Sequence, residues 1–173
     1  GHPQRFVVDT AATNSFMAVE GATALGLRIK SDPQTGDTVA VHSYASALFE
    51  RSNETIALVP RTGMSVADGV VGMDLFAGQR VAYDFEHMNF SVGAPEAAPV
   101  NFVTIPITLT AGTLAVADVM IDGVKVKALI DGGARHTIGN PQLQRALGLK
   151  DGDTRLSEDH PVPGPKAPAA QKA

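Results

Sequence analysis

Apolar and polar positions alternate along most of the chain, with few stretches of helical spacing, and this predicts a strand-rich fold. "RFVVDT" at 5–10 is strand-like, and "VEGATALGL" at 19–27 is compatible with a helix. "SDPQTGD" at 31–37 predicts a turn, followed by strands at "TVAVHSY" (38–44) and "ETIALVP" (54–60). A loop, "RTGMSVADG" (61–69), leads into "VVGMDLFAG" (70–78), an apolar strand running into a short helix or turn. "RVAYDFEHMNFSV" at 80–92 predicts two strands around a turn near His87. "FVTIPITLTA" (102–111) and "TLAVADVMI" (113–121) are strand-like. "IDGVKVKALID" (121–131) predicts a β-hairpin turning at Asp122-Gly123. "NPQLQRALGL" (140–149) predicts a helix with Asn140 as N-cap and Pro141 in its first position.

Breaks in this pattern divide the chain. "GAPEAAPVN" (93–101) is the best linker, so residues 1–95 form a first unit and 96–150 a second. Residues 151–173, rich in Pro and Ala toward the end, predict a disordered tail. Gly (17) and Pro (11) supply the turns that a mainly β chain requires. A net charge of −4 with no basic run argues against a nucleic-acid partner. No apolar run approaches the ~18 residues of a membrane span. With no cysteine, disulfides and thiolate metal sites are excluded, and the five histidines show no metal-ligand spacing, so no cofactor or metal is expected. The Ala-rich composition suggests a bacterial source and leaves the compartment open, export to a periplasm included.

The candidate chemistry comes from an internal repeat. Asp9 and Asp131 stand 122 residues apart, and a shift of that length superimposes the two halves without a gap. Val8 falls on Ile130, Ala12 on Ala134 and Ser15 on Thr137. Ala24-Leu25-Gly26-Leu27 falls on Ala146-Leu147-Gly148-Leu149, and Arg28 on Lys150. Each copy is an apolar strand, an acid, a small-residue turn, a hydroxyl residue and a helix stopped by glycine. A carboxylate at the end of a buried strand is costly unless it gains partners. Pseudo-symmetry can bring two such acids face to face, where they share one proton. One carboxylate then serves as general base toward water and the other as general acid.

The two loops, "FVVDTAATNS" and "ALIDGGARHT", resemble the Asp-Thr/Ser-Gly-Ala loops of retropepsin-like and pepsin-like aspartic proteases. "DGVVGMDLF" at 68–76 resembles the apolar-apolar-Gly segment that crosses behind the catalytic loop in that family. "RVAYDFEHMNFSV" resembles the closing strands of a lobe in bacterial two-lobed aspartyl protease-like proteins. The resemblance covers residues 4–150 and implies the aspartic protease fold, mainly β, with closed, barrel-like lobes and short helices. It implies Asp9 and Asp131 as the catalytic pair, with Thr10, Ala11 and Ala12 forming one active-site loop and Gly132, Gly133 and Ala134 the other. The flap would be the hairpin from about Thr38 to Pro60, with Tyr44 as a flap residue, and Asp74 would have a structural role. The activity implied is an aspartic endopeptidase acting on peptide or protein substrates. A catalytically inactive fold that binds peptides or proteins is the alternative.

Two departures bear on that expectation. Ala11 stands where the family has Gly, and would be strained at positive φ. Gly132 stands where the family has a Thr or Ser whose hydroxyl braces the opposite loop. By the same shift, the counterpart of Gly72 falls near residue 194, beyond Ala173. The expectation is a fragment or a degenerate second lobe whose open sheet edges favour a homodimer. Remaining candidates have plainer readings. His136 is a surface polar residue, and Ser15 and Thr137 brace loops rather than act as nucleophiles. Asp68 and Asp122 are turn residues, and Glu158-Asp159-His160 is a solvated segment.

Overall fold

A computed structural model describes residues 2–61, 67–97, 100–134 and 136–157. The chain is mainly β, with few short helices. Six strands of the first unit form one sheet: β1 (Phe6–Val8), β2 (Phe16–Ala18), β3 (Ile29–Lys30), β4 (Thr38–Ala45), β5 (Glu50–Val59) and β6 (Gly69–Val71). Their order is β1-β6-β2-β5-β4-β3. Helix α1 (Val19–Ala24) follows β2 directly. A 3-10 turn (Met73–Phe76) leads to a separate hairpin of β7 (Arg80–Asp84) and β8 (Asn89–Gly93). The second unit is a three-stranded sheet, β9 (Ile107–Thr110), β10 (Leu114–Ile121) and β11 (Val124–Leu129), followed by α2 (Pro141–Ala146).

The expected closed, barrel-like lobe is not formed among the described residues. β1 and β3 end the six-stranded sheet as edges, and the β7–β8 hairpin stays a sheet of its own. β1 has three residues and β3 two, too few backbone groups to carry a ladder around a barrel. β2 and β3 escaped the pattern for the same reason: such short runs show no alternation. In the second unit, β9 starts only after Pro106, whose missing N–H cannot serve a ladder. Ala98, Pro99 and residues 62–66 of the expected linker and loop lie outside the described residues, as do residues 158–173 of the expected tail, which include the Glu158-Asp159-His160 segment. Residues 151–157 form turns, pinned where the Gln144 amide donates to Asp151 at 3.0 Å.

β6 is the pivot of the first unit. It runs parallel to β1 and antiparallel to β2, and all three of its residues are buried. That position explains its composition, since a strand covered on both faces has no place for a polar side chain. Gly69 is required there, because a methyl on it would run into the Phe6 ring and the Phe16 carbonyl. Two apolar clusters flank the sheet. Ala22 of α1 packs with Met17, Val39, Ile56 and Leu58 of the sheet. Val71, Leu75 and Phe76 join the sheet to the β7–β8 hairpin through Val81, Phe90 and Val92. Phe76 is 1% exposed, and burying such a side chain contributes about 2–3 kcal/mol. The second unit is thinner: Ala117 is its sole fully buried apolar residue among those described, and α2 buries none.

The duplication is repeated in geometry. The two helices have bounds offset by the same 122 residues that separate Thr10 and Gly132, 19–24 against 141–146. Their ends match bond for bond. Leu25 N–H donates to Gly21 O, Gly26 to Thr23 and Leu27 to Ala22, while Leu147 donates to Leu143, Gly148 to Arg145 and Leu149 to Gln144. Gly26 and Gly148 adopt φ of 65° and 67°, the left-handed stop that "ALGL" predicts. The Asn140 side chain caps α2 by accepting from Leu143 N–H at 2.9 Å, and Asp122 and Gly123 turn the β10–β11 hairpin at φ of 45° and 79°. No helix among the described residues is long and apolar enough to cross a membrane.

Candidate active site

Asp9 follows β1, and its backbone is fixed by donation from its N–H to Val71 O at 3.0 Å. The chain then doubles back, with Ala12 N–H donating to Asp9 O at 3.2 Å. Ala11 N–H donates to Asp9 Oδ1 at 2.7 Å. The strain that positive φ would have imposed on Ala11 does not arise, because Ala11 is not among the residues in that region. Behind the loop, the segment after β6 locks in place. Met73 N–H donates to Ala12 O at 2.9 Å and Gly72 N–H to Ser15 Oγ at 2.9 Å. Ser15 Oγ in turn donates to Asp74 Oδ1 at 2.8 Å, so Asp74 acts through a hydroxyl rather than directly on backbone. A methyl on Gly72 would lie 2.7 Å from the Asn14 carbonyl carbon and 2.9 Å from Ala12 O. Gly72→Ala therefore lowers the melting temperature, at a cost of about 1–3 kcal/mol, since the obstacle is backbone that cannot turn aside.

The second loop repeats the first. Ile130 N–H is held by Ala115 O at 2.9 Å, and Asp131 follows. Gly133 N–H donates to Asp131 Oδ1 at 2.8 Å, the same bond as Ala11 to Asp9, and Ala134 N–H adds another at 3.0 Å. Thr10 joins the two loops. Its hydroxyl donates to Ile130 O at 2.8 Å and accepts from Gly132 N–H at 2.8 Å. One side chain of the first unit thus holds the backbone on both sides of Asp131.

The two acids meet as a result. Asp9 is half-buried, and a methyl on Gly133 would lie only 2.9 Å from its carboxyl carbon. Glycine at 133 is what lets the second loop close on the first carboxylate. Burial pushes the Asp9 carboxyl above its ordinary value of 3.8, the Ala11 amide opposes it, and the charge of Asp131 and a hydrogen bond shared with it raise it further. Two carboxylates this close disfavour double ionisation, which favours one shared proton.

Other expected residues fall elsewhere. The β4–β5 hairpin spans the region expected for a flap, but Tyr44 does not reach the pair. Its ring packs inward against Phe6 at 5.6 Å and Phe49 at 4.9 Å. Its hydroxyl is buried beside Asp74, and burial first, then that charge, raises its pKa. His136 and Thr137 are exposed. Asp68 is more than a turn residue: it accepts from Arg5 N–H at 3.0 Å and from the Arg61 guanidinium at 2.6 Å, tying the entry to β1 to the start of β6. Among the described residues, no group of three or more His, Asp or Glu could hold a metal ion. Tyr83 was missed. Its phenol lies beside Gly132, and nothing in "VAYDF" beyond a strand pattern announces it. Comparison with family models, curated proteins and solved structures finds no match to this chain.

Proposed function

We propose that the chain is an aspartic endopeptidase of the retropepsin-like type, hydrolysing peptide bonds with a water activated by Asp9 and Asp131. The observation that carries this reading is the Thr10 bridge. It brings together two carboxylates from duplicated loops, each bonded through Oδ1 to the amide two residues on. Half-buried Asp9 is assigned the general acid and exposed Asp131 the general base. Asp131 takes a proton from water as the water oxygen bonds to the peptide carbonyl carbon. Asp9 gives its proton to the carbonyl oxygen, producing a geminal diol. Asp131 then protonates the amide nitrogen, Asp9 recovers a proton from a diol hydroxyl, and the C–N bond breaks to release acid and amine.

This mechanism needs one proton on the pair. The rate is therefore expected to fall on the alkaline side as Asp9 loses its proton, above the ordinary carboxylate value of 3.8. The test is incubation with a mixed peptide library between about pH 4 and pH 7, with and without a statine-type transition-state analogue. Cleavage that the analogue blocks, and that fades toward neutral pH, is the expected result. Peptides retained but never cut would sink the endopeptidase and leave a peptide-binding module on the same cleft.

A further inference from the structure

Gly132 lacks the hydroxyl that a Thr or Ser at this position would offer, and the structure fills the space with a different one. A methyl built on Gly132 would lie 2.8 Å from the Tyr83 hydroxyl oxygen, 3.0 Å from the ring carbon bearing it and 3.4 Å from Thr10 Oγ1. Any side chain at 132 would displace the phenol. Tyr83 reaches this point from β7 along a run of aromatic contacts. Phe76 packs on Phe90 at 5.9 Å and Phe90 on the Tyr83 ring at 4.8 Å, while the exposed Phe85 stacks on that ring at 5.8 Å. The ring is thus tied to the main core through Phe90.

Its hydroxyl is the unexplained group. It is buried and has no hydrogen-bond partner among the described residues. A buried hydroxyl left unpaired costs about 1–3 kcal/mol, so its position calls for an acceptor supplied by the working site. The titratable groups that bear on it are Asp9 and Asp131; with burial, their charges push its pKa up, so it stays a neutral donor throughout the working range.

We infer that Tyr83 is a positioning residue of the acid pair, its phenol donating a hydrogen bond through one water molecule to the anionic side of the pair, with Gly132 the position cleared to admit it. This rests on the proteolytic reading for its consequence in catalysis, but not for its test. A donor that reaches the pair through water stabilises the form carrying one negative charge. It supplies from a third element what the second loop cannot supply from its own side chain.

The test is a carbon-13 NMR titration of the Asp side chains in the parent protein and in Tyr83→Phe. Tyr83→Phe keeps the aromatic stacking and removes the donor alone. The first ionisation of the pair is expected to move up by about one pH unit. In the cleavage assay, kcat should fall about tenfold with KM nearly unchanged. A phenol that merely fills space would leave the titration where it was, and an unchanged titration overturns the proposal whatever the rate does. A second measurement needs no activity. Gly132→Ser should lower the melting temperature sharply in the parent and much less in a Tyr83→Ala background, where the space is open. Additive effects of the two substitutions would overturn the assignment of Gly132. Should the parent protein cleave nothing, proteolysis fails, and the titration still decides the role of Tyr83.

Discussion

Asp9→Asn is expected to reduce peptide cleavage by about 10²–10⁴-fold while leaving the protein as stable as before, or more stable, at pH 7. The loss follows from chemistry. Asn has nearly the shape of Asp, keeps an oxygen for the Ala11 amide and cannot deliver a proton. The stability effect follows from linkage. The pKa of Asp9 is raised in the folded protein, so the folded state binds its proton more tightly than the unfolded chain does. The stabilising contribution is complete below the ordinary carboxylate value and is lost as pH rises through the raised value. Once ionised, Asp9 is a half-buried charge beside Asp131, and removing that charge relieves the repulsion. Thermal denaturation across pH should show the variant gaining on the parent toward neutrality and matching it at low pH. Full activity in Asp9→Asn would transfer the water-activating role to another group. A large loss of stability at pH 7 would mean that the Asp9 charge has a structural use.

The repeat was legible in the sequence because it rests on local chemistry. "ALGL" must stop a helix where glycine can take a positive φ, so the 122-residue register could be read before any geometry and reappears in the cap bonds of both helices. Asn140 and Asp122-Gly123 were legible for the same reason: a cap and a tight turn are decided within four residues. The site was legible only in part. Asp9, Asp131 and Thr10 sit in loops whose composition betrays them. The contact between Gly132 and Tyr83 joins two loops' worth of chain to a hairpin that neither resembles, and only packing through Phe76 and Phe90 creates it. Residue by residue, Gly132 looked like a brace that had been lost. Set in its surroundings, it is a surface against which a phenol fits. The expected barrel closure failed on a similar point. Strand pattern indicates which residues are extended, not whether edges as short as β1 and β3 find partners.

Thr10→Val should separate the two halves of the site, and Thr10→Ser should not. The Thr10 hydroxyl is the one side chain among the described residues that hydrogen-bonds to backbone of both kinds across the loops, donating to Ile130 O and accepting from Gly132 N–H, each at 2.8 Å. Valine has the same shape and neither capacity, so both bonds go and the two backbone groups must find water. The expected cost is about 1–3 kcal/mol, or roughly 2–4 °C in melting temperature for each kcal/mol at this chain length. The effect on rate is larger than that cost suggests. The second unit has a thin core, so little else holds Asp131 against Asp9. A shift of about 1 Å between reacting groups lowers a rate by about 10²-fold. Serine keeps the oxygen that makes both bonds and should retain most of the activity. Ser15→Ala is the matching control. It removes the bonds to Gly72 N–H and Asp74, both within the first unit, and should lower stability without parting the acids. If Thr10→Val and Ser15→Ala reduce the rate equally at matched fraction folded, Thr10 supports the fold in general and does not set the distance between the carboxylates. A loss confined to Thr10→Val would place the coupling of the duplicated halves on this one hydroxyl, and would make the pairing of Asp9 with Asp131 a property of the loops rather than of the sheets beneath them.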